Sequence, residues 1–246
     1  MIQAESRISR FIPKYRDCGR AGLAALLGAA CLALTPGARA ANPDGALTPE
    51  QTANLYMKAL VNADMVSARA INERLRDAYA GKDALDTGAL AALDARMARM
   101  MGERMLAAVP ASERAGLKGP VQDMAERFVA ASRRSRCQAL SSQIREQATN
   151  PRVVATVRYT CMVPDLRAAL HAAGVNGDTK PSDGRQYADM VRRSAQAFDA
   201  APVSHRVEGS LELFGDPSRR YWASAEPDAP VKTVLGAMSA ELKQGY

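Results

Sequence analysis

The sequence predicts an α+β protein in which N-terminal helices pack on a curved antiparallel sheet of about four strands, with inserted helices and a closing helix. Three observations predict it. Apolar residues recur at helical spacing from Thr48 to about Ser135. At Arg136 the texture turns to β-branched alternation, and from Asp165 onward helical and strand patterns interleave to the end of the chain.

Each element has its own signal. Thr48-Pro49-Glu50-Gln51 reads as a helix start, with Thr48 as N-cap, Pro49 in the first turn and Gln51 completing a capping box. That helix should run to about Asn62 on a stripe of Leu55, Tyr56, Ala59, Leu60 and Val61. A second spans 65–80 through Val66, Ala70, Ile71 and Leu75, and Gly81-Lys82-Asp83 closes it. Two more are expected at 87–109 and 121–135, separated by breakers at Pro110 and at 116–120.

Segments 137–147 and 152–163 read as a hairpin about Thr149-Asn150-Pro151, with Val153, Ala155, Val157, Tyr159, Cys161 and Val163 on one face. A turn centred on Thr149 makes paired residue numbers sum to 298, which sets Cys137 opposite Cys161. Opposed residues at a non-hydrogen-bonded position have Cα atoms about 4.5 Å apart, near the short end of disulfide geometry. A bridge here is therefore expected, and a staple is a simpler role for it than redox or metal chemistry, which favours closer spacing such as Cys-x-x-Cys. Asp165 should cap a short helix to 173, a polar loop covers 174–185, and 186–200 is helical through Tyr187, Met190, Val191, Ala195 and Phe198. In strand 203–214, Val203, His205, Val207, Leu211 and Leu213 alternate with Arg206, Glu208, Ser210 and Glu212. The turn Gly215-Asp216-Pro217-Ser218 leads to a strand at 220–225, and a helix at 230–243 closes the chain.

Residues 1–40 read as a signal peptide. Arg7, Arg10, Lys14, Arg16 and Arg20 form a basic leader, 21–35 is an apolar run, and Ala38-Arg39-Ala40 is a small-x-small cleavage pattern. The run is shorter than the roughly 18 residues a membrane span needs, and Pro36-Gly37 breaks it, so no transmembrane helix should remain after processing. Lipidation of Cys31 is the alternative, but Leu27 lies one place too far upstream for a good lipobox. Cleavage near Ala40 leaves a single α+β domain, 41–246, in the periplasm or secreted. The leader takes six of 33 basic and two of 26 acidic side chains with it, leaving 27 against 24, a net of +3. A chain so nearly neutral has no broad electrostatic footprint for nucleic acid.

The mature chain contains no Gly-x-Ser-x-Gly, no Gly-x-x-x-x-Gly-Lys and no His-Glu-x-x-His, so common hydrolase, NTPase and metalloprotease classes lose support and no cofactor is implied. It has two histidines and, after the leader, two cysteines, too few for a dedicated transition-metal enzyme. His205 is the one catalytic candidate: on the apolar face of a strand it is either a general base in a pocket or a core residue with satisfied nitrogens. Glu208, three residues on, falls on the opposite face and cannot pair with it. His171 ends a short helix and receives no role. Arg133, Arg134 and Arg136 form a basic cluster that either sits solvated at a helix end or chelates an anion. Met97, Met101 and Met105 share one helix face, with Met100 beside them; the stripe is core or partner packing, or a cuprous copper site. The 174–185 loop is a surface connection or a binding loop, and Trp222 with Tyr221 is read as core.

Two stretches carry a family resemblance. The run Leu55-Tyr56-Met57-Lys58-Ala59-Leu60-Val61-Asn62-Ala63-Asp64, followed by Ser67-Ala68-Arg69-Ala70, resembles the opening of nuclear-transport-factor-2-like (cystatin-like α+β) domains. Leu211-Glu212-Leu213-Phe214-Gly215-Asp216-Pro217-Ser218-Arg219-Arg220-Tyr221-Trp222 is similar to their final hairpin, where a tryptophan follows the turn. The resemblance implies a curved sheet wrapped by helices around a cone-shaped pocket, a scaffold used by isomerases, dehydratases and many non-catalytic binders. The helical patterns in 87–135 and 165–200, and a terminal helix, depart from that pattern, so no catalytic residue of the family can be placed here. The expectation is a non-enzymatic binding or interaction module for a small ligand, an envelope component or a protein. Its rivals are a pocket enzyme of isomerase or hydrolase type using His205, and an anion or copper carrier.

Overall fold

A computed structural model describes residues 45–147, 150–175 and 183–244. The leader with Cys31 and the 38–40 cleavage pattern, and residues 176–182 of the polar loop, lie outside the described residues.

Helix α1 (Pro49–Val61) starts as its sequence dictates: Gln51 N–H donates to Thr48 Oγ1 at 3.2 Å and Thr48 N–H donates to Gln51 Oε1 at 2.9 Å, a complete capping box. Helix α2 (Met65–Leu75) is N-capped by Asp64, which accepts from the N–H groups of Val66 and Ser67. It stops five residues before the expected end at 80, in a turn through Ala80 and Gly81, both at positive φ. Buried Asn72 holds that turn, exchanging bonds of 2.7 and 2.8 Å with both backbone groups of Leu85. The expected helix at 87–109 is two, α3 (Thr87–Ala91) and α4 (Leu93–Ala107).

Helix α5 (Arg114–Arg133) begins seven residues before the expected start at 121 and carries Pro120 inside it. Two anchors outweigh the glycines and the proline: Leu117 is buried, and the Arg114 side chain caps the preceding helix by donating to the carbonyls of Val109 and Ala107. Small residues bring α4 and α5 close, since Ala98 packs on Ala125 and Val129. A Cβ on Gly102 would lie 2.7 Å from Gln122 Oε1, so only glycine allows this approach without moving Gln122.

Strands β1 (Arg136–Gln147) and β2 (Asn150–Pro164) form the hairpin, followed by α6 (Leu166–Ala172), α7 (Gly184–Ala200), β3 (Val203–Gly215), a two-residue β4 (Trp222–Ala223) and α8 (Ala229–Gln244). The sheet is antiparallel, ordered β1-β2-β3-β4. Among the described residues the protein is thus α+β, eight helices before, between and after four strands. The last strand was expected over 220–225; it is shorter because the β3–β4 turn runs on through Arg219, which is at positive φ, to Arg220, whose N–H donates to Asp216 at 2.8 Å.

Cys137 pairs with Cys161 as the spacing predicts, with Cα atoms 4.0 Å apart and a disulfide between them. Beyond Ala139 the register slips by one residue: a bulge at Leu140 sets Ser141, not Leu140, against Arg158. The slip turns Ile144 to the same face as Ala155 and Leu213. That inner face is the core. Ala155, Val157, Cys161, Val163 and Leu213 have no exposed surface, beneath α1 on the β1 side and α8 on the β3 side. Tyr159 lies across Gly209, where a Cβ would be 2.4 Å from its hydroxyl, and that hydroxyl bonds Thr233 of α8 at 2.9 Å. The outer face is polar, with Arg206 and Glu208 paired at 2.9 Å. Trp222 is 1% exposed and in the core, as expected.

Candidate functional site

Helices α4, α5, α7 and α8 surround an apolar cavity of about 340 Å³. Helical spacing builds each wall. On α4, Met101 and Met105 are one turn apart, and on α5 so are Met124 and Phe128. Tyr187, Met190, Val191, Ser194 and Phe198 lie along one face of α7, and Leu242 of α8 closes the remaining side. Phe128 and Phe198 meet edge to face with centroids 5.7 Å apart. Met101, Met105, Tyr187 and Met190 are half-buried, whereas Met124, Phe128, Val191 and Phe198 are buried. Ser194 Oγ donates to the Met190 carbonyl at 2.9 Å.

The volume lies within the roughly 300–1,000 Å³ of small-molecule sites. Thioether side chains suit such a wall because they are flexible and polarizable and re-pack around differently shaped apolar ligands. Four of them border one space, yet 340 Å³ is the room of an organic molecule and far exceeds what one coordinated ion fills. Of the methionine stripe, Met101 and Met105 reach the cavity, Met97 packs on the small α4–α5 cluster, and Met100 is 51% exposed.

Two of the three clustered arginines, Arg133 and Arg134, serve helix ends. Arg133 donates through Nη1 to the carbonyls of Leu60 and Val61 at the end of α1 and through Nε to Asp94 of α4 at 2.9 Å. Arg134 donates to Phe198 and Ala201 at the end of α7. Arg136 stands on the outer sheet face opposite Met162, so the structure does not bring the three guanidinia to one anion.

His205 meets a carboxylate that sequence spacing did not identify. Its Nδ1 is 3.3 Å from Oε1 of Glu241, on α8, and its side chain is 38% exposed while that of Glu241 is 5% exposed. The other carboxylate oxygen, Oε2, accepts from Leu166 N–H at 2.7 Å. Glu241 thus ties α8 to β3 and to the start of α6, and fixes the imidazole by one nitrogen. Glu208 faces the other way, paired with Arg206, as the strand alternation predicts. His171 is exposed. His205 does not line the methionine cavity, although Leu242, next to Glu241, does. A larger polar depression of about 610 Å³ follows α2, lined by Arg69, Glu73, Arg76, Asp77 and Asp83, and offers little apolar surface to hold a ligand.

Sequence reasoning found the α7 stripe and half of the α4 stripe but did not single out Met124, Phe128 or Leu242. Their signal was ordinary core periodicity, which does not tell a filled interface from a lined cavity. Among known proteins, no family model, no curated protein and no solved structure matches the chain.

Proposed function

We propose that residues 41–246 form an exported, non-enzymatic binding module that holds an apolar small molecule between α4, α5, α7 and α8. The observation that carries this reading is the methionine-lined cavity of 340 Å³. Its apolar wall contributes affinity by removing ligand surface from water, at about 25 cal/mol per Å² before the costs of association. Export rests on the basic leader, apolar run and Ala38-Arg39-Ala40, and the disulfide suits an oxidising compartment. Among the described residues no helix is long and apolar enough to cross a membrane.

The test is titration of the exported protein with N-phenyl-1-naphthylamine, followed by displacement with fatty acids and aromatic hydrocarbons. Saturable fluorescence is expected, weakened about tenfold or more in Met190→Glu and Met105→Glu. Absence of saturable binding, or equal binding in both variants, rules the reading out. Intact mass before and after reduction tests export: residues 41–246 less two protons are expected, and an acylated Cys31 or free thiols contradict it.

The His205–Glu241 pair supports a second reading, a pocket enzyme of isomerase or hydrolase type. A carboxylate on one imidazole nitrogen orients the other for proton transfer. Turnover of activated esters that disappears in both His205→Asn and Glu241→Gln would favour it; turnover unchanged by either would dismiss it.

A further inference from the structure

The thioethers that border the apolar cavity differ in access. Met101 and Met105 on α4 and Met190 on α7 are half-buried, whereas Met124 on α5 is buried. Met100, on the same helix as the first two, is 51% exposed and does not line the cavity. Cys137 and Cys161 are the two cysteines of residues 41–246 and are joined to each other, so that chain presents no thiol to intercept an oxidant and its readily oxidised sulfurs are thioethers. Three that solvent reaches stand on the cavity wall itself.

A peroxide oxidises a thioether by oxygen transfer. The sulfur lone pair attacks one peroxide oxygen and the O–O bond breaks; the departing hydroxide takes the proton left on the transferred oxygen and leaves as water. Sulfur gives up two electrons and the peroxide accepts them, so the products are one sulfoxide and one water. The wall changes character, because a polar group with an acceptor oxygen replaces a polarizable apolar atom. Hydroxyl donors among the lining residues are those of Tyr187 and Ser194, and the Ser194 hydroxyl already donates to the Met190 carbonyl. Three sulfoxides pressed against an apolar ligand are therefore short of donors, and they are satisfied only by admitting water or by turning out of the wall. Either way the ligand loses apolar contact. We propose that this cavity is a redox-gated site, in which a peroxide converts Met101, Met105 and Met190 to sulfoxides and so releases the apolar ligand. The inference rests on the apolar-ligand reading of the cavity.

The test exposes the exported protein to hydrogen peroxide, removes the oxidant, titrates with N-phenyl-1-naphthylamine and locates each added oxygen by peptide mass spectrometry. Binding should weaken about tenfold or more as sulfoxide accumulates at Met101, Met105 and Met190. Methionine sulfoxide reductases with dithiothreitol should restore it, measured against dithiothreitol alone. The Met101→Leu/Met105→Leu/Met190→Leu variant, compared with its own untreated binding, should lose the response to peroxide, and Met100→Leu should keep it. A melting curve checks that each variant folds, and the reductase reversal reads the same question in the wild-type chain. Unchanged binding once the three sulfoxides have formed, cavity methionines left as thioethers where Met100 is fully oxidised, an equal response in the triple variant, or no recovery with the reductases overturns this inference alone. Absence of probe binding before any oxidation overturns the apolar-ligand reading and this inference with it.

Discussion

Asn62 and Arg133 cap each other's helices. The Asn62 amide donates to the carbonyls of Arg133 and Ser135 at 2.9 and 2.8 Å, at the end of α5, while the Arg133 guanidinium donates to Leu60 and Val61 at the end of α1. Two helix ends that would otherwise hold unsatisfied carbonyls satisfy one another. Loss of either side chain should cost about 1–3 kcal/mol, measured by denaturant unfolding of Asn62→Ala and Arg133→Ala. Arg133→Lys should restore little, because one ammonium cannot reach Asp94 and two carbonyls as the fork does.

The bridge between Cys137 and Cys161 closes a separation of 24 residues. In the chain-entropy model, that constraint on the unfolded state is worth about 3.5 kcal/mol. The Cys137→Ala/Cys161→Ala double variant should unfold at correspondingly lower denaturant, with a similar difference between oxidised and reduced wild type.

Tyr159 occupies the space above Gly209, so Gly209→Ala should displace the ring and cost about 1–3 kcal/mol. Tyr159→Phe, which loses the bond to Thr233, should cost only about 1 kcal/mol. If the clash is the cause, Gly209→Ala should cost less in a Tyr159→Ala background, which a double-mutant cycle measures.

Burial pushes the Tyr56 hydroxyl up to about 12, although the Ser224 N–H it accepts at 3.3 Å opposes the shift. The folded state therefore holds this proton more tightly than the unfolded state, whose tyrosine titrates near 10. The associated stability is present below about pH 10 and is lost as pH rises toward 12, by up to about 3 kcal/mol. Unfolding curves at pH 8, 10 and 11.5 should show wild type losing more stability than Tyr56→Phe.

The acid limb has the opposite sign. A hydrogen bond from Ser67 Oγ, with backbone bonds from Val66 and Ser67, holds the Asp64 carboxyl below its usual range. Its contribution is present above the unfolded carboxylate value near 4 and is lost as pH falls through the folded one. Asp64→Asn should reduce the slope of stability against pH below about 4.

The local signals were legible because they act over a few residues. Thr48-Pro49-Glu50-Gln51 specifies its capping box, strand alternation specifies the inner sheet face, and a tight hairpin brings Cys137 to Cys161. What was not legible depends on distant partners. The bulge at Leu140 has no turn residue to announce it, and continuation of α5 through Pro120 depends on Leu117 reaching the core. Glu241 lies 36 positions from His205, and only the packing of α8 on β3 joins them. The cavity is harder still to foresee, since its methionines would follow the same periodicity against a close-packed helix.

The disulfide also changes what a protease does to this chain. Cys137 and Cys161 enclose the outer strand and most of its neighbour in a covalent ring. A single cut anywhere between residues 137 and 161 opens the ring without releasing a fragment, so the nicked chain keeps its mass apart from one added water until reductant separates the pieces. The β1–β2 hairpin can thus be clipped while its two strands remain tethered at the end away from their turn.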